Sequence, residues 1–214
     1  MPLPHLLFVH GWAYDANIWG PIRSRLGDPA CTVWERGYFD YDSEPAPPPG
    51  PYVAVGHSFG VMRLLHERPE GCVGLVSICG FARFTATDGF PGTPTRVLDR
   101  MLQRAAVSPT AVIAEFRARC GTPGTKVYEF FADRVMEDLR TLRDGDERAE
   151  VAAMREPILA LSAGADTIVP AAQTAASFPQ AQHQIMAGVG HLLPSRAPDW
   201  CARQIAGFCA GLGS

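Results

Sequence analysis

Gly56-His57-Ser58-Phe59-Gly60 is the segment of this chain whose residue types most directly imply chemistry. It matches G-x-S-x-G, follows the apolar run Tyr52–Val55 and precedes a helix-compatible stretch, Val61–His66. A sharp strand-to-helix turn there strains the backbone at the serine and lifts its hydroxyl above the strand ends. A serine hydroxyl is a poor nucleophile until a base takes its proton. His191 lies in Gly188-Val189-Gly190-His191, after the last strand-like run and before the last helix. Its glycine approach suits an imidazole that must reach a distant serine. The base in turn needs a carboxylate to fix its tautomer and stabilise the imidazolium. Asp166 stands just beyond the run Ile158–Leu161, 108 residues after Ser58 and 25 before His191. The earlier run Gly74–Ile78 leads into Cys79-Gly80 and offers no competing acid.

A tetrahedral intermediate also needs two donors for its oxyanion. The backbone N–H of Phe59, the residue after the nucleophile, is one candidate. The other is the N–H of Trp12, in the His10-Gly11-Trp12 loop after the first apolar run, where Gly11 permits close approach. The Trp12 ring is placed to wall an acyl pocket. His57 should point away from the nucleophile, and both it and His10 are expected to be structural. His5, His66 and His183 carry no signal.

These residues need a scaffold of short strands and helices. Leu6–Val9, Thr32–Trp34, Tyr52–Val55, Gly74–Ile78, Ile158–Leu161 and Gln182–Met186 read as strands. Helical patterns are predicted over about 17–26 and 198–210. Continuous apolar strands bounded by helices imply a mostly parallel sheet with helices on both faces. Two stretches interrupt that pattern. Glu44–Pro51 (EPAPPPGP) excludes helix and central strand. Residues 83–144 hold no strand-like run and read as three helices, about 94–106, 109–120 and 127–143, with Ser108-Pro109 as a start signal. The expected organisation is therefore a core of residues 1–82 and 145–214, interrupted by a helical lid insertion at 83–144.

A net charge of −3 argues against a nucleic-acid binder. The stretch Gly71–Ala82 falls short of the roughly 20 apolar residues of a membrane span. The N-terminus lacks a basic segment followed by an apolar one, so a cytoplasmic location with reduced thiols is expected. The six cysteines form no CxxC pair, so no metal site is expected, and the chemistry above requires no cofactor.

Together, Leu7-Phe8-Val9-His10-Gly11-Trp12, Gly56-His57-Ser58-Phe59-Gly60, Gly164-Ala165-Asp166-Thr167-Ile168-Val169-Pro170 and Gly190-His191 resemble the α/β-hydrolase superfamily. The chain order serine, acid, histidine is that of the fold. Within the superfamily the chain is most similar to the pimeloyl-acyl-carrier-protein methyl ester esterases of biotin synthesis. The His-Gly-Trp loop is one reason. The insertion entry Phe81-Ala82-Arg83-Phe84-Thr85-Ala86-Thr87-Asp88-Gly89-Phe90-Pro91-Gly92 is another. The resemblance implies hydrolysis of a methyl ester on an acyl chain borne by acyl carrier protein. It implies an acyl pocket that includes Trp12, Phe59, His191 and the lid stretch Phe116, Arg117, Ala118, Arg119 and Cys120. It also implies lid arginines that bind the acidic carrier.

Charge fits that last implication. Residues 83–143 hold ten basic and seven acidic side chains, a net +3 within a net-negative chain. Arg96, Arg100 and Arg104 share one helical face by spacing. That face reads either as a docking surface or as a solvated face neutralised by Asp99 and its neighbours. The chain departs from the family pattern at the proline-rich connector, which replaces a helix and should leave one flank of the sheet thinly covered. It departs again at Val61, where many relatives carry glycine. Alternative functions are a general carboxylesterase or thioesterase on small acyl esters, a lyase using the same serine, and a non-catalytic ligand-binding protein. Dehalogenation would need a carboxylate at position 58.

Overall fold

The computed structural model describes residues 3–39, 48, 50–124 and 130–212. Six parallel strands form one sheet: β1 (His5–Val9), β2 (Cys31–Trp34), β3 (Tyr52–His57), β4 (Cys72–Ile78), β5 (Ile158–Ala163) and β6 (Gln182–Met186). Their order is β2-β1-β3-β4-β5-β6. The chain moves one way from β1 to β2 and the other way from β3 onward. Loops leaving the carboxyl ends of β1 and β3 therefore diverge and open a crevice between them, the usual ligand position in such sheets.

Alternation along each strand divides the core. Leu6 and Phe8 of β1 face one apolar layer with Trp19, Ile22, Ile205 and Phe208. Leu7 and Val9 face the other, with Val61, Leu64, Leu65 and Phe178. The first layer is covered by α1 (Gly20–Arg25) and α9 (Pro198–Leu212), the second by α2 (Phe59–Glu67). Every residue of β3 and β5 is buried, whereas β6 is an exposed edge. Such two-sided burial is why the strands read as unbroken apolar runs.

The helix expected over 17–26 forms in two parts, a 3-10 turn at Ala16–Trp19 and then α1. Pro21 explains the break, because it lacks an N–H and is tolerated only in a first turn. Asp15 caps the 3-10 turn by accepting from the Asn17 N–H (2.9 Å). The proline-rich connector, with the thin flank predicted there, falls mostly outside the described residues.

Between β4 and β5 stand α3 (Thr95–Ala105), α4 (Pro109–Arg119) and α5 (Ala132–Asp144), a lid-like helical insertion. The third of these was expected from about 127, and residues 125–129 lie outside the described residues. The ends of the insertion meet: Glu147 N–H donates to Ala82 O (2.8 Å), and Arg83 pairs with Asp146 (3.0 Å). A second tie is buried. Asp138 of α5 accepts from the Tyr38 hydroxyl and from Arg36 (2.8 and 2.9 Å). The sequence gives no expectation for α6 (Arg148–Ala153) or α8 (Leu193–Arg196), which are too short to show a helical period, and between them α7 (Ala171–Ser177) follows the Asp166 loop.

Candidate active site

Parallel pairing places Val9 beside Gly56 and His57 beside Ile78. The residues just past those pairs, Gly11 and Ser58, therefore meet at the crevice. A Cβ on Gly11 would lie 3.0 Å from that of Ser58, so the loop after β1 lies directly against the nucleophile. Ser58 has φ 54° and ψ −124°, the strained turn expected of a nucleophile elbow. The motif glycines are steric necessities. A Cβ on Gly60 would stand 2.2 Å from Val9 O, and one on Gly56 would stand 2.8 Å from the Val61 backbone. Val61, the departure from the family pattern, fills the space that Gly56 and Gly80 leave open, since a Cβ on Gly80 would meet Val61 Cγ2 at 2.4 Å.

The three predicted side chains converge. His191 Nε2 lies 3.0 Å from Ser58 Oγ, and His191 Nδ1 lies 2.8 Å from Asp166 Oδ2. All three are buried, none above 7% exposed. Asp166 Oδ1 also accepts from the N–H groups of Ile168 and Val169 (2.8 and 2.9 Å). Burial alone pushes the Asp166 carboxyl up. The His191 hydrogen bond and charge, with the two backbone donors, outweigh it and hold the group below the usual carboxylate range. An ionised Asp166 thus faces Nδ1–H, leaving Nε2 free to take the serine proton. This is a serine–histidine–aspartate relay, and it supports serine hydrolase chemistry on carboxylic esters.

Phe59 is the first residue of α2, so its N–H has no partner within the helix. Among the described residues the Trp12 N–H has no backbone acceptor either. The two N–H groups expected to receive an oxyanion thus have no backbone acceptor among the described residues. The β1 loop that carries Trp12 is braced from the core side. His10 Nδ1 donates to Gly11 O (2.9 Å), and His10 Nε2 lies 2.9 Å from Glu35 Oε1. Glu35 Oε2 accepts from the Ala16 N–H (2.7 Å).

His57 is buried with its ring 4.9 Å from that of His191 and has a positioning job that its residue type does not announce. Its Nε2–H donates to His191 O (3.0 Å). Burial, then the neighbouring His191, push its pKa down to about 3, so it is neutral. Its position directly before the nucleophile is the only sequence signal of that job.

A narrow cavity of about 30 Å³ runs from Ser58 under the insertion. Trp12, Phe59, Phe81, Phe84, Leu98 and Phe116 give it apolar walls, and Arg119 is the charged residue on its lining. Of the lid stretch implied by resemblance, Phe116 and Arg119 reach this cavity. Arg117, Ala118 and Cys120 do not line it. Arg117 is buried against Ala13 O, Ala118 is exposed, and Cys120 is buried, its thiol pushed up to about 12 by burial. Arg100, Arg104 and Arg119 line an adjoining groove with Glu115. Arg104 pairs with Glu115 (2.7 Å), while Asp99 is held by Arg143 (2.6 Å) rather than by the predicted arginine face. Arg96 is exposed at the start of α3.

One trio among the described residues has the donors for a metal. Cys79, Asp166 and His191 bring ligating atoms within 4.8 Å of one another. Two of them are already bound together as relay members, and burial drives the Cys79 thiol well above its ordinary range. No helix among the described residues is long and apolar enough to cross a membrane.

The biotin biosynthesis bifunctional protein BioHC of Cellvibrio japonicus is 28% identical over 240 residues, covering 97% of this chain. The chain spans about half that relative, 48% of its length. Among solved structures, an esterase from Exiguobacterium antarcticum superposes with a TM-score of 0.79 at 14% identity, covering 98% of this chain and 92% of its own. A thermophilic esterase from Thermogutta terrifontis gives a TM-score of 0.76 at 18% identity, covering 100% and 92%. At those identities the likeness shows the fold, and the chemistry rests on the relay described above. A model of the alpha/beta hydrolase family matches residues 6–204. The strand order, the elbow at Ser58 and that match agree: the chain belongs to the alpha/beta hydrolase family.

Proposed function

We propose that the chain is a general carboxylesterase that draws the acyl group of a small ester into the cavity beside Ser58. The observation that carries this reading is the unbroken path Ser58 Oγ–His191–Asp166, at 3.0 and 2.8 Å. His191 takes the Ser58 proton as Oγ attacks the ester carbonyl. The N–H groups of Phe59 and Trp12 receive the oxyanion, and the leaving alcohol departs with the proton from His191. Water, deprotonated by the same imidazole, then releases the carboxylate and restores the serine.

A second reading narrows the substrate to the methyl ester of a pimeloyl chain on acyl carrier protein, in biotin biosynthesis. The BioHC similarity favours it. So does the groove of Arg100, Arg104 and Arg119 beside the cavity, which suits an acidic carrier. In that reading residues 83–144 serve as the lid and Arg96, Arg100 and Arg104 dock the partner. The deciding experiment compares kcat/KM on a free methyl ester and on the same acyl ester attached to acyl carrier protein. The general reading expects no carrier preference. A preference of about tenfold or more, abolished in an Arg96/Arg100/Arg104 triple alanine, would replace it with the carrier reading. If Ser58→Ala retains near-normal turnover, both readings fail.

A further inference from the structure

The insertion grips the oxyanion loop at two points that the relay does not use. On α5, Val135 O accepts from Trp12 Nε1 (3.0 Å). On α4, Arg117 Nε donates to Ala13 O (2.9 Å). These bonds hold the two residues that directly follow Gly11. Ala13 has φ 61°, in the left-handed region that a side chain disfavours, and the turn's own bond, from the Tyr14 N–H to Gly11 O, is long at 3.3 Å.

Arg117 is an unusual residue to find here. It is buried, and no carboxylate among the described residues lies within ion-pair distance of it. Its guanidinium sits over the rings of Phe39 (4.6 Å) and Tyr14 (5.4 Å) instead. Burying a cation without an anion is costly, and a methionine would fill the same space at no such cost. What methionine lacks is a rigid N–H fork aimed at a carbonyl. The end of α4 is itself fixed, because the Arg117 carbonyl accepts from the Thr122 N–H (2.9 Å) and hydroxyl (3.0 Å).

We propose that Arg117 is a positioning residue for catalysis: through Ala13 O it holds the loop that presents the Trp12 N–H to the oxyanion. The insertion then completes the transition-state site as well as covering the acyl cavity. This role rests on ester hydrolysis at Ser58 and is independent of which ester is the substrate. Because the oxyanion exists only in the transition state, Arg117 acts on kcat and leaves ground-state binding alone.

The test uses the full chain, a p-nitrophenyl ester, and a trifluoromethyl ketone that forms a tetrahedral adduct with the serine. Arg117→Met should lower kcat about 10- to 100-fold, short of the loss of a whole oxyanion donor, with KM within about twofold. Affinity for the ketone should fall by the same factor as kcat/KM. Arg117→Lys, which keeps the charge and N–H donors but on a flexible stem, should recover part of both. If kcat and ketone affinity hold while only thermal stability drops, Arg117 is a packing residue and the proposal is overturned. A raised KM at constant kcat overturns it too, because that marks a pocket residue. Should Arg117→Met fail to fold, Arg117→Lys carries the test: a joint fall of about threefold or more supports the role, and wild-type values refute it. Wild-type turnover and its loss in Ser58→Ala are measured alongside. Their failure would sink the hydrolase reading, whereas an undiminished Arg117 variant sinks only the brace.

Discussion

Acid should destabilise this protein through His57, and the size of the effect follows from its surroundings. His57 donates from Nε2 to His191 O, which leaves its Nδ1 buried without a hydrogen-bond partner. Protonation would place a charge there, in full burial and beside the His191 ring at 4.9 Å. That is why its pKa falls to about 3 from an ordinary 6.5. The unfolded chain therefore binds this proton first, and stability present at neutral pH is lost as pH falls below the unfolded value. At about pH 5 the folded protein still holds His57 neutral, so the loss is set by the unfolded value and comes to ~2 kcal/mol relative to about pH 7.5. His57→Gln keeps an N–H for His191 O and removes the titration. Urea unfolding followed by tryptophan fluorescence at both pH values gives the two losses. Wild type should lose ~2 kcal/mol more than His57→Gln over that interval, because every other titrating group cancels in the difference. Equal losses would refute the reasoning, since they would mean that His57 accepts its proton in the folded state.

Other consequences are more direct. Asp166→Asn presents an amide to His191 Nδ1 and favours the wrong tautomer, so kcat should fall by about 10⁴ with the fold intact; a loss below about tenfold, measured by ester turnover beside circular dichroism, would deny Asp166 its role. Gly60→Ala puts a methyl where Val9 O and His10 O already stand, 2.2 and 2.6 Å away. Both obstacles are backbone, so α2 must shift, and a destabilisation of about 1–3 kcal/mol with a lowered kcat is expected in denaturant melts and turnover. Asp138→Ala strips the partner from the buried Tyr38 hydroxyl and leaves Arg36 only the exposed Glu137 (2.8 Å) among its acids. A loss of about 3 kcal/mol is expected, read as a drop in Tm, and an unchanged Tm would show that this tie does not secure the insertion.

The strands and the relay were legible because each has a local signature. β1, β3 and β5 are buried on both faces, so they read as apolar runs, and the elbow glycines stand at fixed spacing about the serine, although the contact that demands Gly60 comes from Val9 and His10. Asp166 and His191 could be found because each follows a strand-like run on a glycine-bearing loop. The brace on the oxyanion loop left no such trace. Its acceptors, Ala13 O and Val135 O, are backbone carbonyls, which every residue has, and its bonds span 104 and 123 positions. Resemblance placed Arg117 in the acyl pocket with its neighbours. On a helix, however, Phe116 and Arg117 cannot face the same way, and here Phe116 takes the cavity side. The Asp138 cluster stayed hidden for the same reason, since Arg36 and Tyr38 lie about a hundred residues from their acceptor.

The shared exit and entry at Ala82 and Glu147 make the inserted helices resemble a cassette plugged into a socket. Such a plug is free to diverge in sequence without disturbing the order of strands beneath it. New acyl preferences are then accessible by exchanging this one segment. A graft that seals the socket and omits donors or acceptors for Trp12 and Ala13 would yield a folded hybrid with a reactive serine and slow turnover.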